Sequence, residues 1–155
     1  MLNKDFKEFV ELLNSESVEY LVVGGYALAA HGHPRYTGDI DFWIATSPEN
    51  VDRLLRALNA FGFGGVGLSQ ADFLVPEAVI QLGFPPARID LLTAIDGVSF
   101  ENCYPKRLMV QLGGTPLPII DLESFKANKR ASGRAKDLAD LESLDENPGD
   151  PSDDR

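Results

Sequence analysis

The chain sets two aspartates, Asp39 and Asp41, one residue apart at the head of the apolar run Phe42, Trp43, Ile44, just past Gly38. An apolar run bounded by glycine reads as a β-strand, in which residues i and i+2 point to the same face. Two carboxylates held side by side repel each other and are costly to keep ionised unless a cation lies between them. A hard divalent ion meets that need, because Mg²⁺ takes oxygen ligands and is usually bound by one or two carboxylates together with substrate phosphates. Upstream, Tyr20 to Val23 reads as a short strand ended by Gly24 and Gly25, ahead of a helix running through Tyr26 to Ala30. A glycine turn opening into a helix leaves backbone N–H groups free and lets the main chain approach an anion closely. That turn could hold a triphosphate beside the metal.

The order apolar strand, Gly24, Gly25, thirteen intervening residues, then Asp39-Ile40-Asp41-Phe42 resembles the signature of the DNA polymerase β-type nucleotidyltransferase superfamily. Within it the chain is most similar to the small bacterial AbiEii toxin-like and DUF6036-like proteins, over about Val18 to Leu144. The resemblance implies an α/β fold with a mixed, partly antiparallel sheet flanked by helices, and a C-terminal helical element that brings basic residues to a cleft. It implies transfer of a nucleoside monophosphate from an NTP to an acceptor hydroxyl, with Mg²⁺ or Mn²⁺ as cofactor. The acceptor is left open among tRNA, a protein and a small molecule, and a cognate toxin or antitoxin protein is a further implied partner. The competing class is a non-catalytic nucleotide-binding or antitoxin-like regulatory module of the same fold.

Asp90 lies inside the apolar segment RIDLLT, 88 to 93, where a charge needs a partner. From the residues alone that partner is Arg88 or Arg35. The resemblance implies instead that Asp90 is the third carboxylate, a metal ligand and general base beside Asp39 and Asp41. Arg35 and Thr37, in the lead-in HPRYTGDID, match a similar Arg-x-Thr of the related sequences; Arg35 would contact phosphates or hold Asp39 in place. The basic segment NKRASGRAKD, 128 to 137, carries Lys129, Arg134, Lys136 and Asp137 of a KxxxGRxKD pattern that the similar proteins share. Lys129, Arg134 and Lys136 are then phosphate contacts, with Asp137 tying the last helix to the site. Read without the resemblance, the same cluster is a basic helix end that complements the helix dipole.

Other motifs are less productive. Gly62 to Gly67, GFGGVG, has the letters of a dinucleotide fingerprint but follows a helical pattern rather than a strand, so it reads as a glycine loop. His31 and His33 stand at a helix end, and one cysteine, Cys103, is too few for a zinc cluster or an internal disulfide. A length of 155 residues suits one domain, expected over residues 1 to 144, with 44% hydrophobic residues in keeping with a packed core. The final segment, 145 to 155, has five acidic residues and no large apolar side chain, and is expected to be a solvated tail. A net charge of −10 disfavours a broad grip on nucleic acid. No apolar run long enough for a membrane span occurs, so a cytoplasmic protein without a membrane partner is expected.

Overall fold

A computed structural model of the chain describes residues 3–32, 38–64, 67–84 and 87–145. Six strands form one mixed sheet in the order β3-β4-β2-β1-β6-β5. They are β1 (Tyr20–Val23), β2 (Ile40–Ile44), β3 (Val79–Leu82), β4 (Ile89–Leu92), β5 (Leu108–Leu112) and β6 (Thr115–Ile119). β1 runs antiparallel to β2 and parallel to β6, while β2 and β4 are parallel. The helices are α1 (Lys4–Ser15), α2 (Gly24–Ala30), α3 (Pro48–Leu58), α4 (Gln70–Phe73), α5 (Phe100–Cys103), α6 (Leu122–Ser132) and α7 (Ala135–Asp145).

Local chemistry explains the long helices. Phe6, Phe9, Val10 and Leu13 recur on one face of α1 and are all buried, and the Asn3 side chain caps the helix by accepting from the Phe6 N–H. Ser47 caps α3 at the Asn50 N–H, with Pro48 at the first helical position. One sheet face is aromatic: the Phe42 ring meets Phe9 of α1 at 5.4 Å and Tyr20 of β1 at 5.5 Å, both edge-on. The opposite face carries Leu21, Val23, Asp41, Trp43, Asp90 and Leu92, since side chains alternate along each strand. The candidate carboxylates therefore stand on the face that α1 leaves uncovered.

Two features hold the strands in register. Asn50 is fully buried, yet its amide is satisfied: Oδ1 accepts from the Glu19 N–H at 2.7 Å, and Nδ2 donates to the carbonyls of Glu19 at 3.0 Å and Ala45 at 2.8 Å. One side chain of α3 thereby clamps the start of β1 to the end of β2. At the other side of β1 the ladder is short. The Ile120 N–H donates to the Val22 carbonyl, so by alternation positions 116 and 118 also face β1, and both are proline with no N–H to give. Only Val22 and Ile119 are in register there, and Asn14 takes up the Pro116 carbonyl instead. β5 and β6 are joined by a two-residue turn, Gly113-Gly114, with φ of 60° and 83°, which is the turn a hairpin's twist favours.

Residue patterning alone predicts strands at 20–23, 88–93, 108–112 and 117–120 and helices at 3–15, 48–61, 122–130 and 136–144, and each is present within a few residues. β3, α4 and α5 were not expected. Gly62 and Phe63, the first two residues of GFGGVG, close a short helical kink over Asn59–Phe63 after α3, and residues 65 and 66 lie outside the described residues. Residues 146–155 of the expected tail lie outside the described residues, and Asp145 closes α7. Among the described residues no helix is long and apolar enough to cross a membrane.

Replacing Asn50 by alanine strands the Ala45 carbonyl and the Glu19 N–H at the β1–β2 junction and leaves the Glu19 carbonyl only its bond from the Ala45 N–H. We expect Asn50→Ala to lower the unfolding free energy by about 1–3 kcal/mol, measured by urea denaturation. A change below about 0.5 kcal/mol would mean that the clamp does not hold the junction.

Candidate functional site

The three candidate carboxylates converge because of strand register. Asp41 is the direct partner of Asp90 across the parallel β2–β4 pair, and of Val23, the last residue of β1, across the antiparallel β1–β2 pair. Asp39 precedes β2 by one residue and shares its carboxylate face. Asp90 is 8% exposed, and Asp41 is half-buried. Burial, the Asp90 carboxylate opposite and Asp39 nearby push the Asp41 carboxyl up to about 7, with Lys136 opposing the shift. The site stores repulsion that an external cation would relieve.

Gly24 has a physical reason to be glycine. Its φ is +69°, and a Cβ placed there would lie 2.1 Å from Oδ2 of Asp41. No L side chain fits unless Asp41 moves. The glycine turn and the aspartate pair are thus one packing unit, although the chain separates them by a loop. Gly24 and Gly25 open α2, which ends at His31; the His31 Nε2 lies 2.8 Å from the Ile120 carbonyl, a hydrogen bond that ties α2 to the end of β6.

Arg88 sits among the carboxylates. Its Nε is 2.7 Å from Oδ1 of Asp90 and its Nη2 is 3.1 Å from Oδ2, a two-pronged grip, while Nη2 is also 3.3 Å from Oδ2 of Asp39. Its backbone N–H donates to Oδ1 of Asp39 at 3.1 Å. The bond to Asp90 raises the Arg88 guanidinium above its ordinary value, and Asp39 and Asp41 add to the effect. Of the two readings of Asp90, ion pair or member of the carboxylate cluster, the geometry contains both. Sequence reasoning named Arg88 only as a partner for Asp90; the R-x-D spacing within a strand, which puts residues 88 and 90 on one face, was the signal for its larger role.

The oxygen donors suit a hard divalent cation. Among the described residues, however, no three His, Cys, Asp or Glu side chains are already gathered at metal-binding separation. Arg88 holds Asp39 and Asp90 at its guanidinium. An ion would have to displace Arg88 to take these oxygens.

A cleft of about 550 Å³ joins these groups. The glycine turn and the carboxylates line it, as do Lys129 of α6, Arg134 between the helices and Lys136 of α7. Gly133, at φ +65°, ends α6 and turns the chain back toward the cleft. Arg134 and Lys136 are exposed. Lys129 is different: it is 7% exposed, its Nζ lies 2.9 Å from Asp137 and 3.3 Å from Asp140, and it stands 5.1 Å from the Phe125 ring centre. Asp137 also accepts from Ser132 and from Arg134, the latter at 2.8 Å. Burial alone would raise the Asp137 carboxyl, but hydrogen bonds from Ser132, Lys129 and Arg134 outweigh it and hold the group well below the ordinary carboxylate range. Lys129 and Asp137 thus bolt α7 onto α6 beneath the cleft. Arg35 and Thr37 lie outside the described residues, as does His33.

The fold has known counterparts. A protein assigned as a nucleotidyltransferase from Thermotoga maritima superposes with a TM-score of 0.56 at 16% identity, over 90% of this chain and 88% of the other. A lincosamide antibiotic adenylyltransferase solved with lincomycin bound superposes with a TM-score of 0.54 at 13% identity, over 94% and 98%. An antigenic nucleotidyltransferase-like protein from Paracoccidioides brasiliensis gives 0.52 at 19% identity, over 92% and 77%. No family model and no curated protein matches the sequence. The chain has the polymerase β-like nucleotidyltransferase fold, with a six-stranded mixed sheet flanked by helices.

Two stability predictions follow from the charges. Folding raises Asp41 from 3.8 to about 7, so the folded chain keeps a proton that the unfolded chain has already released across that window. The stability this group contributes is complete below its unfolded value and is lost as pH rises toward 7. In metal-free buffer, Asp41→Asn should flatten that decline and raise stability at pH 8 by on the order of 2 kcal/mol. Thermal melts of both proteins across pH 4.5–8 test this, and parallel profiles would show that the carboxyl is not raised. For Lys129, loss of the cation leaves two buried carboxylates, so Lys129→Met should destabilise the fold by about 3–5 kcal/mol. Unchanged stability in urea would place Lys129 outside the α6–α7 bolt.

Proposed function

We propose that the protein is a metal-dependent nucleotidyltransferase that moves a nucleoside monophosphate from an NTP to an acceptor hydroxyl. The observation that carries this reading is the pairing of Asp41 with Asp90 across adjacent strands, with Asp39 beside them and the glycine turn packed against Asp41. Asp39, Asp41 and Asp90 would hold Mg²⁺ or Mn²⁺, which when bound supplies positive charge to the triphosphate and to the attacking oxygen. Gly24 and Gly25 present backbone N–H groups to the phosphates, and Arg134 and Lys136 line the same cleft. Arg35 and Thr37, outside the described residues, are carried over from the resemblance as phosphate contacts, with holding Asp39 the other role for Arg35. Lys129 acts from beneath, by holding α7 in place.

In the transfer, the acceptor oxygen forms a bond to the α-phosphorus as the α–β bridging P–O bond breaks, and pyrophosphate leaves with that electron pair. Asp90 takes the proton of the acceptor hydroxyl. Arg88 would release Asp39 and Asp90 to the ion and remain beside that base on the same strand. The protein's contribution is alignment and charge placement rather than a covalent intermediate.

For the acceptor we favour a small molecule. A net charge of −10 repels a polyanion such as tRNA, and a structure of similar fold is an adenylyltransferase solved with lincomycin. The AbiEii-like grouping, with a cognate toxin or antitoxin partner, rests on the KxxxGRxKD pattern at Lys129 to Asp137. The second reading, a module that binds nucleotide without turnover, draws on Arg88, whose guanidinium already occupies the carboxylates.

Incubation with each labelled NTP, Mg²⁺ and a cell extract should yield a labelled product that is absent with the double substitution Asp39→Asn/Asp41→Asn. Calorimetry should show Mg²⁺-dependent NTP binding by the parent chain, weakened at least ~100-fold in the double variant. Equal binding by the two proteins would remove the aspartate pair from the site. Binding without any labelled product would favour the module.

A further inference from the structure

β3 closes one end of the sheet, and its outer side is open. Its inner side pairs with β4 in a register that runs from Val79–Leu92 to Leu82–Ile89, and the Thr93 N–H donates to the Ala78 carbonyl. Backbone groups alternate sides along a strand, so Ala78, Ile80 and Leu82 turn theirs toward β4, while Val79 and Gln81 direct theirs outward. Among the described residues no strand pairs with that side. Natural edge strands are ordinarily blunted by a lysine, a proline or another charge. Val79-Ile80-Gln81-Leu82 has none of these, and the stretch from Ala78 to Ala87 carries no charged residue.

The exposed apolar side chains flank the same strand. Phe84 is 86% exposed, and Leu74, Val75 and Val79 are each about half exposed. Together they present on the order of 400 Å² of apolar surface, the size at which a patch on a monomer is often functional. Leu74 and Val75 precede β3, and Phe84 follows it. The leading segment is held in place: the Thr93 hydroxyl accepts from the Ala78 N–H at 2.8 Å and donates to the Val75 carbonyl at 3.3 Å, which anchors it to the end of β4.

We propose that this edge is a homodimer interface, in which β3 pairs antiparallel with β3 of a second copy across a two-fold axis at Ile80. That register uses every outward group, because Val79 of each copy stands opposite Gln81 of the other and the two exchange a pair of N–H···O bonds on either side of the axis. Antiparallel pairing also sets the start of each strand beside the end of its mate. Phe84 of one copy therefore meets Leu74 and Val75 of the other, and the patch is self-complementary as a two-fold contact requires. Covering it twice buries ~800 Å², and the paired backbones with the Ile80 and Gln81 side chains carry the total past the ~1,000 Å² of a specific interface. An unrelated extended peptide would satisfy the backbone but leave the apolar groups at the two ends of β3 unanswered. The contact also reaches the carboxylate cleft. Val79 lines that cleft, and Gln81 of the second copy stands beside it, about 5 Å away between Cβ atoms. Each cleft thus gains a polar residue from the other copy at its open edge.

Sedimentation velocity on the full-length protein, from about 2 to 200 µM, should show a concentration-dependent shift from monomer to dimer. Raising NaCl to ~0.5 M should strengthen it, since salt screens the repulsion between two chains of net charge −10. Gln81→Pro removes an outward N–H without touching the β3–β4 ladder, and Phe84→Glu sets a charge against Leu74 and Val75 of the second copy. Each should weaken the dimer at least ~10-fold, with circular dichroism showing an unchanged fold. Ile80→Cys should form an intermolecular disulfide under mild oxidation, because the pair on the axis sets its Cα atoms ~4.5 Å apart; the native Cys103 is buried. Met109→Cys, exposed on β5 at the other end of the sheet, should not. A chain that stays monomeric at about 200 µM, a dimer that survives Phe84→Glu, or cross-linking through Met109→Cys in place of Ile80→Cys overturns the proposal. Growth past the dimer overturns it too, since an open head-to-tail contact would then join the copies.

Discussion

Mutual repulsion among Asp39, Asp41 and Asp90 is the constraint around which the structure is arranged. Strand register forces Asp41 and Asp90 opposite each other, and burial prevents water from screening them. Without a counter-charge the arrangement costs stability, so it persists only because the surrounding elements over-determine it. Arg88 supplies part of that charge from the same strand as Asp90. The rest is open to a ligand, which is the property expected of a site whose residues have been placed for binding rather than for rigidity.

The two walls of the cleft are built by different physics. The carboxylate wall is set by backbone pairing, and Gly24 is confined to glycine by the oxygen of Asp41. The basic wall is set by a buried charge network in which Lys129 answers Asp137 and Asp140. Lys136 can remain exposed because Lys129 has taken the interior position, while Arg134, exposed as well, shares Asp137 with Lys129. This division explains why a basic segment in a strongly acidic chain includes one buried lysine.

Much of this was legible in the sequence, for reasons that can be named. The aspartate pair is local, and its period of two declares both strand and face. The glycines before α2 announce a turn, and the heptad-like spacing in α1 and α3 declares buried helix faces. What stayed hidden depended on contacts across the chain. That Asp90 would stand opposite Asp41 came from the resemblance, because no local pattern aligns one strand with another. The structural role of Lys129 was invisible, since the spacing of basic residues is the same whether a side chain faces water or a buried aspartate. β3 was missed because VIQL is short and lies between prolines and glycines that read as loop. Asn50 was passed over because a polar residue near a helix start looks like capping chemistry, whereas its partners lie on two strands.

The prolines of β6 have a consequence for cooperativity. β1 shares four register pairs with β2 but one with β6, since Pro116 and Pro118 cannot donate toward it. The sheet is therefore two well-paired blocks, β3-β4-β2-β1 and the β5–β6 hairpin, joined by a short backbone ladder at Val22 and Ile119. The carboxylates belong to the first block, whereas α6 and α7 continue from the second. Subglobal opening along this seam would separate the walls of the cleft while each block keeps its own ladder. Amide hydrogen exchange would then divide the protein at the seam, with the protection of the cleft following the joint rather than the core.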